Sequence, residues 1–177
     1  MVMEHRHFAV TPIGVVHRPG VPDGAQSESG TYYDPFAESV IEIFPEWAEG
    51  LAQIEEFSHL VVVLFMDRAE VITPDDSLLR HPNGRMHLPQ VGLFATRSPH
   101  RPNPLGLCYP KLLRREGRHL HVTGMDAWPG TPVLDVKGYY LRDEQRPDAT
   151  APDWLQTLWT ESDGERGGDR PSREEQR

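Results

Sequence analysis

Apolar residues come in short bursts separated by turn-forming residues, and few of these bursts keep a helical period. His7 to His17 (HFAVTPIGVVH) is rich in β-branched and aromatic residues and is broken at Pro12, which predicts an opening strand with one irregular point. Arg18 to Asp34 carries Pro19, Gly20, Pro22, Asp23, Gly24 and Gly30 and reads as a loop. It is longer than connections usually are, which favours a binding role over an idle one. Ser39 to Phe44 predicts a short strand. Pro45 then supplies a first-turn proline, and Trp47, Leu51 and Ile54 recur at i, i+4 and i+7, predicting one short amphipathic helix with Glu46 near its positive end.

His59 to Asp67 (HLVVVLFMD) is a continuous apolar, β-branched run bounded by polar residues, the pattern of a central strand buried on both faces or set in a barrel wall. Residues 68–90 read as irregular. Val91 to Arg97 and Leu105 to Arg114 predict strands on either side of a proline-rich loop, and Glu116-Gly117 predicts a hairpin turn into His119 to Thr123. Val133 to Tyr140 is the last expected strand. Trp154, Leu155, Leu158 and Trp159 mark one face of a C-terminal helix that starts at Pro152 and Asp153. No apolar side chain follows Thr160, so a single domain over residues 1–160 and a disordered tail over 161–177 are expected. About six or seven strands against two short helices, without strict alternation, make the fold class mainly β, a barrel or curved sheet.

Composition sharpens this picture. Seventeen prolines and 15 glycines in 177 residues argue against a helical bundle. The longest apolar run, Leu60 to Met66, is seven residues, whereas a membrane-spanning helix needs roughly 20. The opening MVMEHRHFAV has no apolar stretch followed by a small-residue cleavage site, and the one cysteine, Cys108, has no intramolecular partner; a cytoplasmic protein is expected. The net charge of −9 would ordinarily speak against a nucleic-acid partner. Its distribution changes that. Arg80, Arg85, Arg97, Arg101, Lys111, Arg114, Arg115 and Arg118 lie in one window with a single acid, Glu116, a balance of +7 that leaves −16 on the rest. One basic region on an acidic chain suits an anionic ligand held at one place, although a solvated basic loop would look the same.

Several common sites are excluded by spacing. There is no GxGxxG after a strand, no GxxxxGK[ST] and no GxSxG. His119 and His121 share a strand face and His81 and His87 share a loop, but no cysteine pair or HExxH accompanies them, so no metal is expected. Cys108 sits in an apolar stretch and reads as a small core residue. The informative segment is Gly92 to Leu107, GLFATRSPHRPNPLGL. Pro99, Pro102 and Pro104 hold Ser98, Arg101 and Asn103 in extended conformations, so the loop is stiff before any ligand arrives. Its arginines, asparagine, serine and histidine suit a carboxylate or phosphate ligand, and equally a rigid corner whose arginines pair with local acids.

FATRSPHRPNPLGL also resembles the signature loop of the tRNA-methyltransferase O family, the TsaA-like proteins. Ile13-Gly14-Val15-Val16, Gly50-Leu51, Glu56-Phe57-Ser58-His59-Leu60 and Gly130-Thr131-Pro132-Val133-Leu134-Asp135-Val136-Lys137 occur in the family's order, from about Phe8 to Tyr140. The resemblance implies a single-sheeted β-barrel that binds S-adenosylmethionine, works as a homodimer and methylates the exocyclic amine nitrogen of threonylcarbamoyladenosine beside the tRNA anticodon. It also implies cofactor contacts at Ala25, Gln26 and Ser27, at Asp67 and Arg68, and at Arg97, Leu107, Gly124, Met125 and Asp126. Chemically, Asp126 can accept from an ammonium or ribose hydroxyls, Arg97 can pair with a carboxylate, and Leu107 and Met125 can flank adenine. Asp126 or His100 is the candidate base.

For RNA, the candidates are Arg80, Arg85, Arg101, Lys111, Arg114, Arg115 and Arg118. Some family members carry a further C-terminal domain that helps hold tRNA, and none is expected in this sequence, which leaves RNA contacts to the basic window or makes the substrate smaller. A methyltransferase of the same fold with a small-molecule substrate, and a non-catalytic adaptor that binds S-adenosylmethionine or RNA, are the alternatives.

Overall fold

The computed structural model describes residues 8–25, 34 and 36–165. Among the described residues nine strands run in the order β1 (Gly14–His17), β2 (Glu38–Ile43), β3 (Leu60–Phe65), β4 (Leu79–Arg80), β5 (Val91–Gly92), β6 (Leu105–Cys108), β7 (Lys111–Glu116), β8 (His119–Thr123) and β9 (Pro132–Gly138). Helices α1 (Leu141–Glu144) and α2 (Asp153–Glu165) follow. Two compact units emerge, residues 1–72 with 99–144 and residues 73–98 with 145–177.

The larger unit is one antiparallel sheet of seven strands in the order β6-β3-β9-β1-β2-β8-β7. Period-2 alternation decides which side chains enter its core. Along β2, Ser39, Ile41 and Ile43 are buried between the partly exposed Glu38, Val40 and Glu42; along β8, Leu120 and Val122 are buried between His119, His121 and Thr123. These join Val16, Leu60, Val62, Leu64, Met125 and Val133 in one apolar cluster. Gly14 is required where β1 crosses β2, because a Cβ there would lie 2.3 Å from the carbonyl oxygen of Glu42.

The mainly β class holds, but the sheet is not closed into a barrel, and that expectation is corrected. The stretch expected as one strand over Leu105 to Arg114 is two, because Pro110 has no N–H to contribute to a ladder and interrupts it. β6 pairs with β3 and β7 pairs with β8, so β6 and β7 are the two edges. They approach closure at one end only, through the single bridge of His59 to Lys111 and the hydrogen bonds from Leu60 N to Pro110 O (3.0 Å) and from Leu112 N to Ser58 O (2.8 Å).

Three local expectations also change. The helix over 45–54 is two 3-10 segments, Pro45–Leu51 and Ile54–Glu56, parted at Gln53, whose φ is 64°. The strand expected over Val91 to Arg97 is only Val91–Gly92 before a 3-10 turn, and it pairs with Leu79–Arg80 inside the stretch read as irregular. The tail expected from Glu161 is helical in its first five residues, since α2 extends to Glu165. There Glu161 forms an ion pair with Arg85 Nη1 at 3.3 Å and lies 2.8 Å from His87 Nε2, both contacts within the smaller unit. No helix of the described residues is long and apolar enough to cross a membrane.

Candidate functional site

Within the larger unit, the segment after β3 gathers residues distant in sequence. Arg68 donates from Nη1 to Ala25 O at 3.2 Å and from Nη2 to Pro129 O at 3.0 Å, and its guanidinium carbon lies 5.4 Å from the centroid of the Trp128 ring. Gly24 N donates to Pro129 O at 3.1 Å. Gly130 adopts φ 87°, and a Cβ there would stand 3.2 Å from Arg68 Nη2 and 3.3 Å from Gly24 N, so only glycine lets the three chains meet. Arg18, itself buried, donates from Nη2 to Met125 O at 2.7 Å.

On its other side the same segment fastens the proline-rich loop. Met66 N donates to Pro104 O at 2.8 Å, Glu70 N to the His100 ring at 3.1 Å and Ile72 N to Arg101 O at 3.3 Å. Proline stiffness and three anchors act together.

β6 contributes an open edge. Leu60 N bonds Pro110 O and Met66 N bonds Pro104 O, so the β6 residues that turn their main chain toward β3 are Gly106 and Cys108, paired with Leu64 and Val62. By the alternation of an antiparallel ladder, Leu107 turns its N–H and C=O to the free edge. Beside that edge lies Asp126, whose carbonyl accepts from the Cys108 thiol at 3.8 Å and whose side chain is exposed. Burial is the main reason that the Cys108 thiol is pushed up from its ordinary pKa, away from nucleophilic use.

The residues singled out from sequence thus divide. Ala25 and Arg68 are joined directly, Met125 and Asp126 lie on the segment that runs on to Trp128 and Pro129 against Arg68, Asp67 is exposed beside Arg68, and Gly124 is in a left-handed turn, φ 79°, after β8. The two side chains expected to flank adenine stand in different surroundings. Met125 is 0% exposed within the core, and Leu107, 52% exposed, points to the outer face with Leu105 and Tyr109, opposite Cys108. Met125 can therefore offer a ligand its main chain only. Gln26 and Ser27 lie outside the described residues, and Arg97 is exposed in the smaller unit after the 3-10 turn Leu93–Ala95.

The basic window looks different in space. Arg114 reaches Glu38 at 3.1 Å and Glu116 at 2.7 Å. These hydrogen bonds raise the pKa of the guanidinium and lower that of both carboxylates. Arg115 donates to Leu51 O and Gly117 O, each at 2.8 Å, and pairs with Glu55 at 3.1 Å. Arg118 pairs with Glu42 and donates to Ile43 O at 3.1 Å. Arg85 meets Glu161, and Arg80 donates to Leu79 O at 3.2 Å. Lys111 is exposed and Arg101 half-buried. Apart from Glu116, which lies in the window itself, the partnering acids come from β2, the 3-10 segment Ile54–Glu56 and α2, which is why counting charge along the window missed them.

His121, with a side chain only 12% exposed, lies 2.6 Å from Glu38 and 3.4 Å from Glu116, while His119 lies 3.3 Å from Glu116 O. Among the described residues no group of three histidine, cysteine or carboxylate side chains could hold a metal ion.

Comparison with known proteins places this geometry. A family model described as the tRNA-methyltransferase O N-terminal domain matches residues 24–144. A probable S-adenosyl-L-methionine-binding protein of Archaeoglobus fulgidus is 43% identical over 132 residues, 72% of this chain and 32% of that protein. A tRNA (adenine(37)-N6)-methyltransferase of Mus musculus is 40% identical over 97 residues, 55% of this chain and 22% of that protein. A crystal structure of TrmO from P. aeruginosa superposes with a TM-score of 0.64 at 25% identity, covering 85% of this chain and 63% of that one. The chain therefore spans about a third or less of these two relatives and just under two thirds of the solved protein.

Proposed function

The chain belongs to the family of the tRNA-methyltransferase O N-terminal domain, and from that membership we propose that it is an S-adenosylmethionine-dependent tRNA methyltransferase acting on the exocyclic amine nitrogen of threonylcarbamoyladenosine next to the anticodon. The observation that carries the reading is the Arg68 strut, which joins Ala25 and Trp128-Pro129 to the end of β3, the strand that pairs with β6. The donor set fits the cofactor. Leu107 presents one donor and one acceptor from its main chain, the pattern that reads an adenine edge. Asp126 supplies an exposed carboxylate for an ammonium group or ribose hydroxyls.

Bound there, S-adenosylmethionine supplies an electrophilic methyl group. The chain's residues orient the partners and take up a proton. The accepting nitrogen carries a delocalised lone pair and a proton, so strict positioning matters most, and the Asp126 carboxylate is the acceptor for that proton. By the family resemblance, Arg97 is the candidate partner of the cofactor carboxylate. The protein works as a homodimer in the cytoplasm, with the apolar outer face of β6 (Leu105, Leu107 and Tyr109) covered by a second copy.

Calorimetry with S-adenosylmethionine tests the cofactor. Arg97→Ala should weaken binding at least tenfold, and unchanged affinity would remove Arg97 from the site. Mass spectrometry of tRNA nucleosides from a strain lacking the protein tests the substrate: one methylated species should disappear. The neutralised arginines of β7 and of the turn after it, Arg114, Arg115 and Arg118, favour one second reading, a small-molecule acceptor on the same scaffold. Absence of any salt-dependent RNA binding would decide for it.

A further inference from the structure

The Glu70 amide meets the Nδ1 atom of the His100 ring at 3.1 Å. A backbone N–H can only donate, so Nδ1 is the acceptor and holds a lone pair. A neutral imidazole carries one proton, which this contact assigns to Nε2. The ring is held as well as typed. Pro99 and Pro102 stiffen the backbone on both sides, and the next residue is pinned by Ile72 N donating to Arg101 O at 3.3 Å. His100 is exposed, and among the described residues no hydrogen bond to Nε2 accompanies the one at Nδ1. It sits opposite Glu70, two residues beyond Arg68, so its outward nitrogen belongs to the rim of the site built on the segment after β3.

We propose that His100 is a fixed hydrogen-bond donor toward the methyl-accepting substrate rather than its base: Nε2–H meets an oxygen acceptor of that substrate, and the lone pair a base would need is already engaged by Glu70. This rests on the function proposed above and makes His100 a positioning residue for substrate oxygen. Removal of the substrate proton is then left to another group. The two amide side chains separate the two ring nitrogens. Asparagine at 100 retains an acceptor for the Glu70 amide but has no outer donor, whereas glutamine reaches the outer position with its amide N–H.

The test uses the full chain, S-adenosylmethionine and tRNA carrying threonylcarbamoyladenosine. His100→Gln should keep KM for tRNA within about threefold, and His100→Asn should raise it at least tenfold, both with unchanged kcat and unchanged affinity for S-adenosylmethionine. Nitrogen-15 spectra of the imidazole, assigned by loss of the signal in His100→Asn, should show Nε2 protonated and Nδ1 bare at neutral pH. A proton on Nδ1, equal KM for the two variants, or a loss confined to kcat would overturn the proposal. Should the wild-type protein not methylate this tRNA, the functional reading falls separately. The donor role is then decided by the spectra and by tRNA dissociation constants, which must be weaker for His100→Asn than for His100→Gln.

Discussion

The guanidinium of Arg68 lies over the ring of Trp128, 5.4 Å from its centroid, while both of its terminal nitrogens donate to main-chain carbonyls, of Ala25 and Pro129. Lysine cannot reproduce this, since a single ammonium has neither the planar face nor the fork that reaches two carbonyls. Arg68→Lys should therefore weaken S-adenosylmethionine binding about tenfold by calorimetry. The strut ties loops rather than core strands, so the melting midpoint should move by no more than about 4 °C. Retained affinity would show that the loops find their places without it.

Gly14→Ala puts a methyl group against the Glu42 carbonyl at the first paired residue of β1, where the clash is with main chain and no side chain can rotate away. We expect destabilisation of about 1–3 kcal/mol by urea unfolding, the cost of forcing atoms into a packed site. Wild-type stability would mean that β1 shifts along β2 at little cost.

Acid should loosen the outer face of the sheet. Glu42 is held below its ordinary value of 4.5 chiefly by its hydrogen bond to Arg118, and Glu38 by its bonds to Arg114 and then His121. Lowered carboxylate values in the folded state mean that it binds fewer protons than the unfolded chain, so this contribution is complete above about 4.5 and is lost as pH falls through the lowered values. Urea midpoints measured from pH 6 downward should decline across that window. Glu42→Gln should flatten the decline, and an unchanged slope would place the acid sensitivity elsewhere.

Reversal of Arg114 and Arg115 to glutamate reads from sequence as a lesion in RNA binding alone. In the folded chain it sets new carboxylates against Glu38, Glu116 and Glu55, so thermal stability should fall together with any loss of methylation. Lys111→Glu is the cleaner probe, because Lys111 is exposed. Its effect should be a salt slope of RNA binding lower by about one unit or less, with melting unchanged. A stable Arg114→Glu, Arg115→Glu protein would show that these ion pairs contribute little.

Truncation after Thr160 removes the carboxylate that serves both Arg85 and His87. We expect a lower melting midpoint for that form, reproduced in part by Glu161→Gln, and none for truncation after Glu165. Equal melting of all three would mean that Glu161 does not anchor the helix.

Sequence by itself determined the strands whose alternation leaves no choice of face. Ile41 and Ile43 between glutamates, Leu120 and Val122 between histidines, and the continuous run of β3 specify mainly β structure, because a one-residue slip would bury charge. The motif around Pro99, Pro102 and Pro104 likewise carried family membership. Closure was not legible, since it turned on Pro110 dividing one apolar stretch between two partners. Nor was the state of the basic window: whether Arg114 and Arg118 are available depends on Glu38 and Glu42, 76 residues away, which lie beside them only once β2 pairs with β8, and Arg115 meets Glu55 of the 3-10 segment Ile54–Glu56 across 60 residues. The site itself belongs to the same class. Arg68, Ala25 and Pro129 are joined through side chain and main chain across 43 and 61 residues, and such contacts have no local period. They exist only when the sheet brings its loops to one end.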